Sequence, residues 1–274
     1  MKRKLGIVSS CCSRNEKQTQ IDTLRMMKDI GFDCFHTGSI DVKTVCELKN
    51  EGDKLGLEFE FIHAPYTRNG IHVNKYWEAG VDYRPLFNSV METIDSAAEA
   101  GVKKIVHHVS GTWTAPQMSD FGIARFDRTV EYAVKKGVGV AFENLQHLGN
   151  ITSLMERYHN VPEVTFCYDN GHAHCYTVHI PWLDILGKRL STTHLHDNWG
   201  LDKEDPRKDA DYHLMPFEGD FDFKDMVDKM DKYNYQGSLM LELWQKGQWA
   251  DLSPEEFLKV CYERVKRIRD MSEA

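Results

Sequence analysis

A single α/β domain folded as a parallel (β/α)8 TIM barrel is what this sequence predicts, on three observations. Short runs rich in β-branched and aromatic residues alternate with segments of helical spacing, the cycle recurs about eight times, and nothing resembling a linker interrupts it. With 274 residues and 41% apolar content, the chain can bury one substantial core. Eight strand–helix units in roughly 250 residues is the size of such a barrel. An open doubly wound sheet is the alternative, but no Gly-rich dinucleotide or phosphate loop follows any strand. The domain is expected to occupy residues 1–274.

In chain order, the strand-like runs are KLGIVSS, FDCFHTG, LEFEFIHAP, KKIVHHVSG, GVAFENL, EVTFCYDNG, LSTTHLHDN and SLMLELW. The helical segments among them include TLRMMKDIG, FNSVMETIDSAAEAG, IARFDRTVEYAVKKG and DMVDKMDKY, and SPEEFLKVCYERVKRIRDM comes last. Several end in glycine, the usual helix stop, and SPEE offers an N-cap serine with proline at the first helical position. The opening MKRKLGIVSSCC pairs basic residues with an apolar run, as signal peptides do, but the run is short and reads as the first strand.

Composition narrows the function. A formal net charge of −8 argues against a general polyanion binder, so nucleic acid is not the expected partner. No apolar stretch of about 18 residues is present, so no membrane span is expected. Seven cysteines (Cys11, Cys12, Cys34, Cys46, Cys167, Cys175, Cys261), odd in number and mostly in apolar contexts, fit reduced core thiols in a cytoplasmic protein. Cys11 and Cys12 have the look of a redox or metal pair, yet adjacent residues on a strand splay apart. A homo-oligomer is compatible with everything in the sequence.

The barrel makes a prediction about polar side chains, because sites in this fold lie where strands end, on the C-terminal face. His36 ends the second run, His63 the third, His107 and His108 the fourth and Glu143 the fifth. Asp169 with His172 ends the sixth, His194 and His196 the seventh, and Glu242 the eighth. Such groups are costly to bury unless paired or bound to metal, and their recurrence at equivalent places is the strongest signal in the chain. Any one of them alone is most often structural. Alternation sorts them further: Glu143 shares a face with Ala141 against Phe142, Glu242 with Met240 against Leu241, and Asp169 with Cys167 against Tyr168. His194 and His196 share one face, and His107 and His108 take opposite faces in an order that alternation leaves open. Three carboxylates and an imidazole converging on one barrel mouth suit a divalent cation such as Mn²⁺, Mg²⁺, Co²⁺ or Zn²⁺. His72, His147, His159 and His179 fall in loops or helices and default to surface roles. Trp77 and Trp113 read equally as walls of a sugar pocket or as loop anchors.

The strand-end set IHAPY, HHVSG, AFENL, YDNGHAH, HLHDN, DYHLMPFEGDFDF and LELW resembles the xylose isomerase-like TIM-barrel superfamily over nearly the whole chain. That group, also known as AP endonuclease family 2, includes sugar and sugar-phosphate isomerases and epimerases and the endonuclease IV type of abasic-site nuclease. In its ketose 3-epimerase branch one metal is held by Glu, Asp, His and Glu, which the resemblance carries onto Glu143, Asp169, His194 and Glu242. His194 is preferred to His196 because HLHD matches the family's H-x-x-D register. The branch implies that Glu143 and Glu242 exchange protons with substrate, and that His172 contacts it. His63, His108 and Trp113 are further candidate substrate contacts. The epimerases place an arginine soon after the metal histidine, where this chain has NWGLDK. The nuclease branch binds three zinc ions, and the resemblance supplies His63, His108, His172, Asp211 and His213 as additional metal ligands. The acidic insert LDKEDPRKDADYH and the IHAPY motif are more similar to the sugar-acting members. The expectation is therefore a metal-dependent sugar isomerase or epimerase working through an enediolate on a small ketose, aldose or polyol. A zinc-dependent abasic-site nuclease and a non-catalytic metal- or sugar-binding relative are the alternatives.

Overall fold

Each of the eight strand-like runs forms a strand in the computed structural model, which describes residues 2–12 and 18–273. In chain order the elements are β1 (Lys4–Val8), α1 (Gln20–Ile30), β2 (Cys34–Thr37), α2 (Val42–Leu55) and β3 (Glu58–His63). A small hairpin (Thr67–Arg68 with Ile71–His72) and a 3-10 turn (Val73–Trp77) lead to α3 (Arg84–Ala100), β4 (Lys104–His108), α4 (Asp120–Lys135), β5 (Gly139–Glu143) and α5 (Leu148–Arg157). Then come β6 (Val164–Asp169), α6 (Asn170–Cys175), α7 (Trp182–Leu186), β7 (Leu190–His194), α8 (Phe223–Lys232), β8 (Ser238–Leu241) and α9 (Pro254–Arg269). The main sheet has the order β8-β1-β2-β3-β4-β5-β6-β7, and a parallel bridge between Leu195 and Leu241 links its two end strands. This is the TIM-barrel fold that the alternation predicts.

Contacts gather the chain into two compact units. The first comprises Met1–Thr37, Leu48–Phe59 and Tyr168–Ala274. Within it β1 pairs in parallel with β8 (Gly6 beside Met240) and with β2 (Gly6 beside Cys34). A Cβ on Gly6 would lie 2.6 Å from the Met240 sulfur and 2.7 Å from that of Cys34, so only glycine fits between them. Thr19 caps α1, Gly31 ends it in the left-handed conformation at φ 116°, and Ser253 with Glu256 forms a capping box on α9.

The second unit comprises Gly38–Glu47 and Glu60–Cys167. Here β4 pairs with β3 and β5, and β5 with β6, all in parallel. Phe142 of β5 packs edge-on against Phe126 of α4, with ring centroids 5.8 Å apart. Trp77 is an anchor: it is buried, its indole N–H donates to the Val109 carbonyl (2.7 Å), and a Cβ on Gly122 would sit 1.9 Å from its ring. Arg125 of α4 donates to the carbonyls of Lys75, Tyr76 and Glu78 at 2.7–2.9 Å and lies 3.9 Å from the Tyr83 ring centre.

One expectation changes here. Cys11 and Cys12 lie in a turn beyond β1 rather than on the strand, and their sulfurs approach to 3.7 Å instead of splaying apart. All seven cysteines are free, and all but Cys46 are buried, as the composition predicts. Helices α2 and α5 lack a clear sequence signal: α2 contains Gly52, against which Phe35 packs, and α5 has Gly149 and Asn150 in its first turn, all poor helix formers.

Candidate active site

The ionisable strand-end residues of the first unit form one cluster. Asp169, fully buried at the end of β6, accepts from the backbone N–H of His172 (2.7 Å) and so caps α6. Its carboxylate lies 3.3 Å from Nε2 of His196 and 3.9 Å from Nδ1 of His194. The same Nδ1 lies 3.8 Å from the Glu242 carboxylate. These His194 separations exceed a direct hydrogen bond. Two ligands held about 2.1 Å from one ion stand at most about 4.2 Å apart, so the separations suit a shared cation.

Asp211 joins the cluster from the long segment after β7, reaching Nε2 of His172 at 3.4 Å, Nε2 of His196 at 3.7 Å and Nε2 of His213 at 3.0 Å. His196, Asp211 and His213 bring ligand atoms within 4.8 Å of one another. The other nitrogen of His213 bonds the Glu242 carbonyl at 2.9 Å, and the residue adopts φ 48°, a strained left-handed backbone for a side-chain-bearing residue. Burial alone would lower the His213 pKa, but the Asp211 hydrogen bond and charge, aided by Glu242 and Asp169, raise it to about 9. Burial pushes the Asp211 carboxyl the other way, upward, yet the surrounding imidazoles of His196, His172 and His213 hold it well below the usual range.

The second unit holds its own cluster at the ends of β3, β4 and β5. Glu143, fully buried and on the opposite face of β5 from Phe142, lies 3.2 Å from Nε2 of His108 and 3.4 Å from Nε2 of His63. Tyr66 stacks on the His108 ring at 4.7 Å and 8°. The β4 ambiguity is thereby resolved. His108 faces Glu143, whereas His107 packs among Phe126, Tyr76 and Phe142 with ring centroids 5.6–6.5 Å away. Burial in that aromatic setting, with the nearby charges of His108 and His63, depresses the His107 pKa to about 3, so it stays neutral.

The remaining candidates are peripheral. His36 is buried with its ring 5.3 Å from that of His194. His174 pairs with the exposed Asp220 at 2.8 Å, a structural role. Trp113 is half-buried, its carbonyl within 3.3 Å of Nε2 of His147. His72 caps the 3-10 turn, and His159 bonds the Glu156 carbonyl on the surface.

Several residues that order the first cluster are not among the candidates the sequence offers. The Asn170 amide both donates to the His196 carbonyl (2.8 Å) and accepts from its N–H (3.0 Å). A Cβ on Gly171 would sit 1.8 Å from Cε1 of His196, so the imidazole occupies the space glycine leaves. Asp197 accepts from the N–H groups of Asn198, Phe217 and Phe221, and Asn198 holds Asp211 and the N–H of Tyr212. The hint in the sequence is that two strand ends, YDNG and HDN, each carry an asparagine one or two residues on.

Comparison with known proteins adds a family and a set of likenesses. The family described as xylose isomerase-like TIM barrel matches residues 24–261. An uncharacterized protein, y4fM of Sinorhizobium fredii, is 29% identical over 163 residues, 54% of this chain and 50% of its own; the chain thus spans about half the length of that relative. Among solved structures, the IOLI protein with a bound zinc atom superposes with a TM-score of 0.75 at 15% identity, covering 97% of this chain and 98% of its own. The 3-keto-D-glucoside 4-epimerase YcjR of E. coli has a TM-score of 0.71 at 16% identity, covering 97% and 100%. Both likenesses are likenesses of fold.

Proposed function

The chain belongs to the xylose isomerase-like TIM-barrel family, and on that premise we propose that it is a metal-dependent isomerase or epimerase of a small carbohydrate. The observation that carries this reading is the spacing of Asp169 and Glu242 about one His194 nitrogen, 3.9 and 3.8 Å, with Asp169 and His194 fully buried and Glu242 mostly so. Asp169, His194 and Glu242 would hold a divalent ion; Mn²⁺, Zn²⁺, Mg²⁺ and Co²⁺ all suit that donor set. When bound, such an ion polarises a sugar carbonyl and its neighbouring hydroxyl and so acidifies the adjacent C–H.

The chain's own groups move the proton. One of Glu143 and Glu242 takes it from the carbon next to the carbonyl, and the same or the other glutamate returns one to carbon or oxygen, giving an epimer or an isomer through an enediolate. His172 and His63 orient substrate oxygens, and His108 holds the Glu143 carboxylate in position. Neighbours of this fold that act on sugars, such as the keto-glucoside epimerase, support the substrate class. A second reading, a multi-zinc abasic-site nuclease, is favoured by the additional His196–Asp211–His213 group. The net charge of −8 and a sequence without Arg/Lys-rich loops after the strands weigh against it.

The test is metal analysis of the purified protein, then chelation and reconstitution with Mn²⁺ or Zn²⁺. Ketoses, aldoses and inositol-type ketones would be screened for turnover beside cleavage of an abasic-site duplex. Sugar turnover that disappears in Glu143→Gln and Glu242→Gln at saturating metal is expected. Duplex cleavage without sugar turnover, or full activity in either glutamine variant, would overturn the assignment.

A further inference from the structure

Beside the His213–Glu242 cluster, and wholly within the first unit, lies a cavity of about 510 Å³ with walls that are chiefly aromatic: Trp199, Tyr212, Trp244 and Trp249. That volume is in the range of small-molecule sites. Trp244 packs edge-on to His213, with ring centroids 5.4 Å apart at 66°, so one wall of the cavity is a residue of the metal cluster. Trp199 is 60% exposed and Tyr212 41% exposed, large faces left to water at the cavity's edge. Trp199 is also the residue in NWGLDK, the stretch where the epimerase branch would place an arginine. At the rim Gln248 donates to the Glu218 carboxylate (2.6 Å), and Lys246 also lines the space.

An arrangement of flat aromatic faces with a few polar groups at the rim is what a pyranose ring requires. Its axial C–H face is apolar and lies against an indole, while its hydroxyls radiate at the edge, donating to carboxylates and accepting from amide and ammonium groups. A free monosaccharide held at the Asp169–His194–Glu242 cluster would leave this cavity empty. We propose that the cavity is a subsite for a second sugar ring, so that the substrate is a disaccharide or comparable glycoside whose reacting ring sits at the metal cluster. The inference rests on the carbohydrate reading above and specifies its substrate class.

The experiment reads binding rather than turnover. Tryptophan fluorescence and calorimetric titrations would compare α- and β-linked disaccharides of glucose, galactose and xylose with the free sugars, using both metal-loaded and chelated protein. At least one disaccharide should bind tenfold or more tightly than its free sugar and quench the fluorescence. Trp199→Ala and Trp249→Ala should remove that preference, leaving free-sugar affinity within about twofold and metal content unchanged, while Trp199→Phe retains most of it. Because Trp199 is largely exposed, its replacement leaves the fold intact. If no disaccharide in the panel outbinds its free sugar, or if the preference survives both alanine variants, the subsite is disproved. The metal and glutamate tests are separate measurements, so the two readings fail independently.

Discussion

At the scale of single residues, adjacent His107 and His108 show how burial divides labour. Both are buried polar residues at the end of one strand, but one faces a carboxylate and the other an aromatic cluster. His107→Ala should therefore open a cavity and cost roughly 2–4 kcal/mol of stability, lowering the urea midpoint with metal content unchanged. His108→Ala should instead reduce sugar turnover at least tenfold, because it removes a neighbour of the buried Glu143 carboxylate, whereas His107→Ala leaves turnover near that of the parent; equal losses of turnover in the two variants would refute this division. His213 adds a pH dependence. Its folded pKa, about 9, lies above the ordinary value of 6.5, so the protonated form is favoured by folding. That contribution is complete below pH 6.5 and disappears as pH rises through 9; at 1.36 kcal/mol per unit it is roughly 2–4 kcal/mol. In chelated protein, denaturant titrations from pH 6 to 9.5 should show that loss, and His213→Gln should flatten it.

At the scale of elements, the strands were legible because they repeat one local rule, and the eight runs became eight strands. The alternation that turned Glu143 away from Phe142 was equally legible, since Phe142 packs on Phe126 of α4. What the sequence could not reveal depends on contacts distant along the chain. Which of His107 and His108 faces a carboxylate is a question of sheet orientation that two adjacent histidines do not answer. The roles of Asn170, Gly171 and Asn198 appear only once the residues they support, His196 and Asp211, are in place. Helix ends were more readable, because capping is local: the serine of SPEE does accept from the N–H of Glu256, whose carboxylate returns to the serine N–H. Ser253→Ala should thus cost about 1 kcal/mol, read as a lower melting temperature with unaltered metal affinity; Ser253→Asp, which keeps an acceptor there, should recover most of it.

For the whole molecule, the same buried groups that suit a cation are a burden without one. Asp169 and His194 are fully buried, and Glu242 and Asp211 are nearly so, within a chain already carrying a net charge of −8. Placing acidic and imidazole groups out of water is unfavourable unless something compensates their charge, and a divalent ion does so while binding only the folded state. Ligation at one hundred times the dissociation constant adds about 2.7 kcal/mol to stability, which for a chain of this size raises the melting temperature by several degrees. Exhaustive chelation should accordingly lower the thermal midpoint, and added Mn²⁺ or Zn²⁺ should restore it in a concentration-dependent way. In Asp169→Asn the midpoint should no longer respond to metal, because the variant removes one ligand charge. Asparagine keeps an acceptor for the cap on α6 and removes a buried charge, so the variant's metal-free midpoint should lie at or above that of the parent. A protein whose melting temperature ignores both chelator and metal would show that these residues hold no ion.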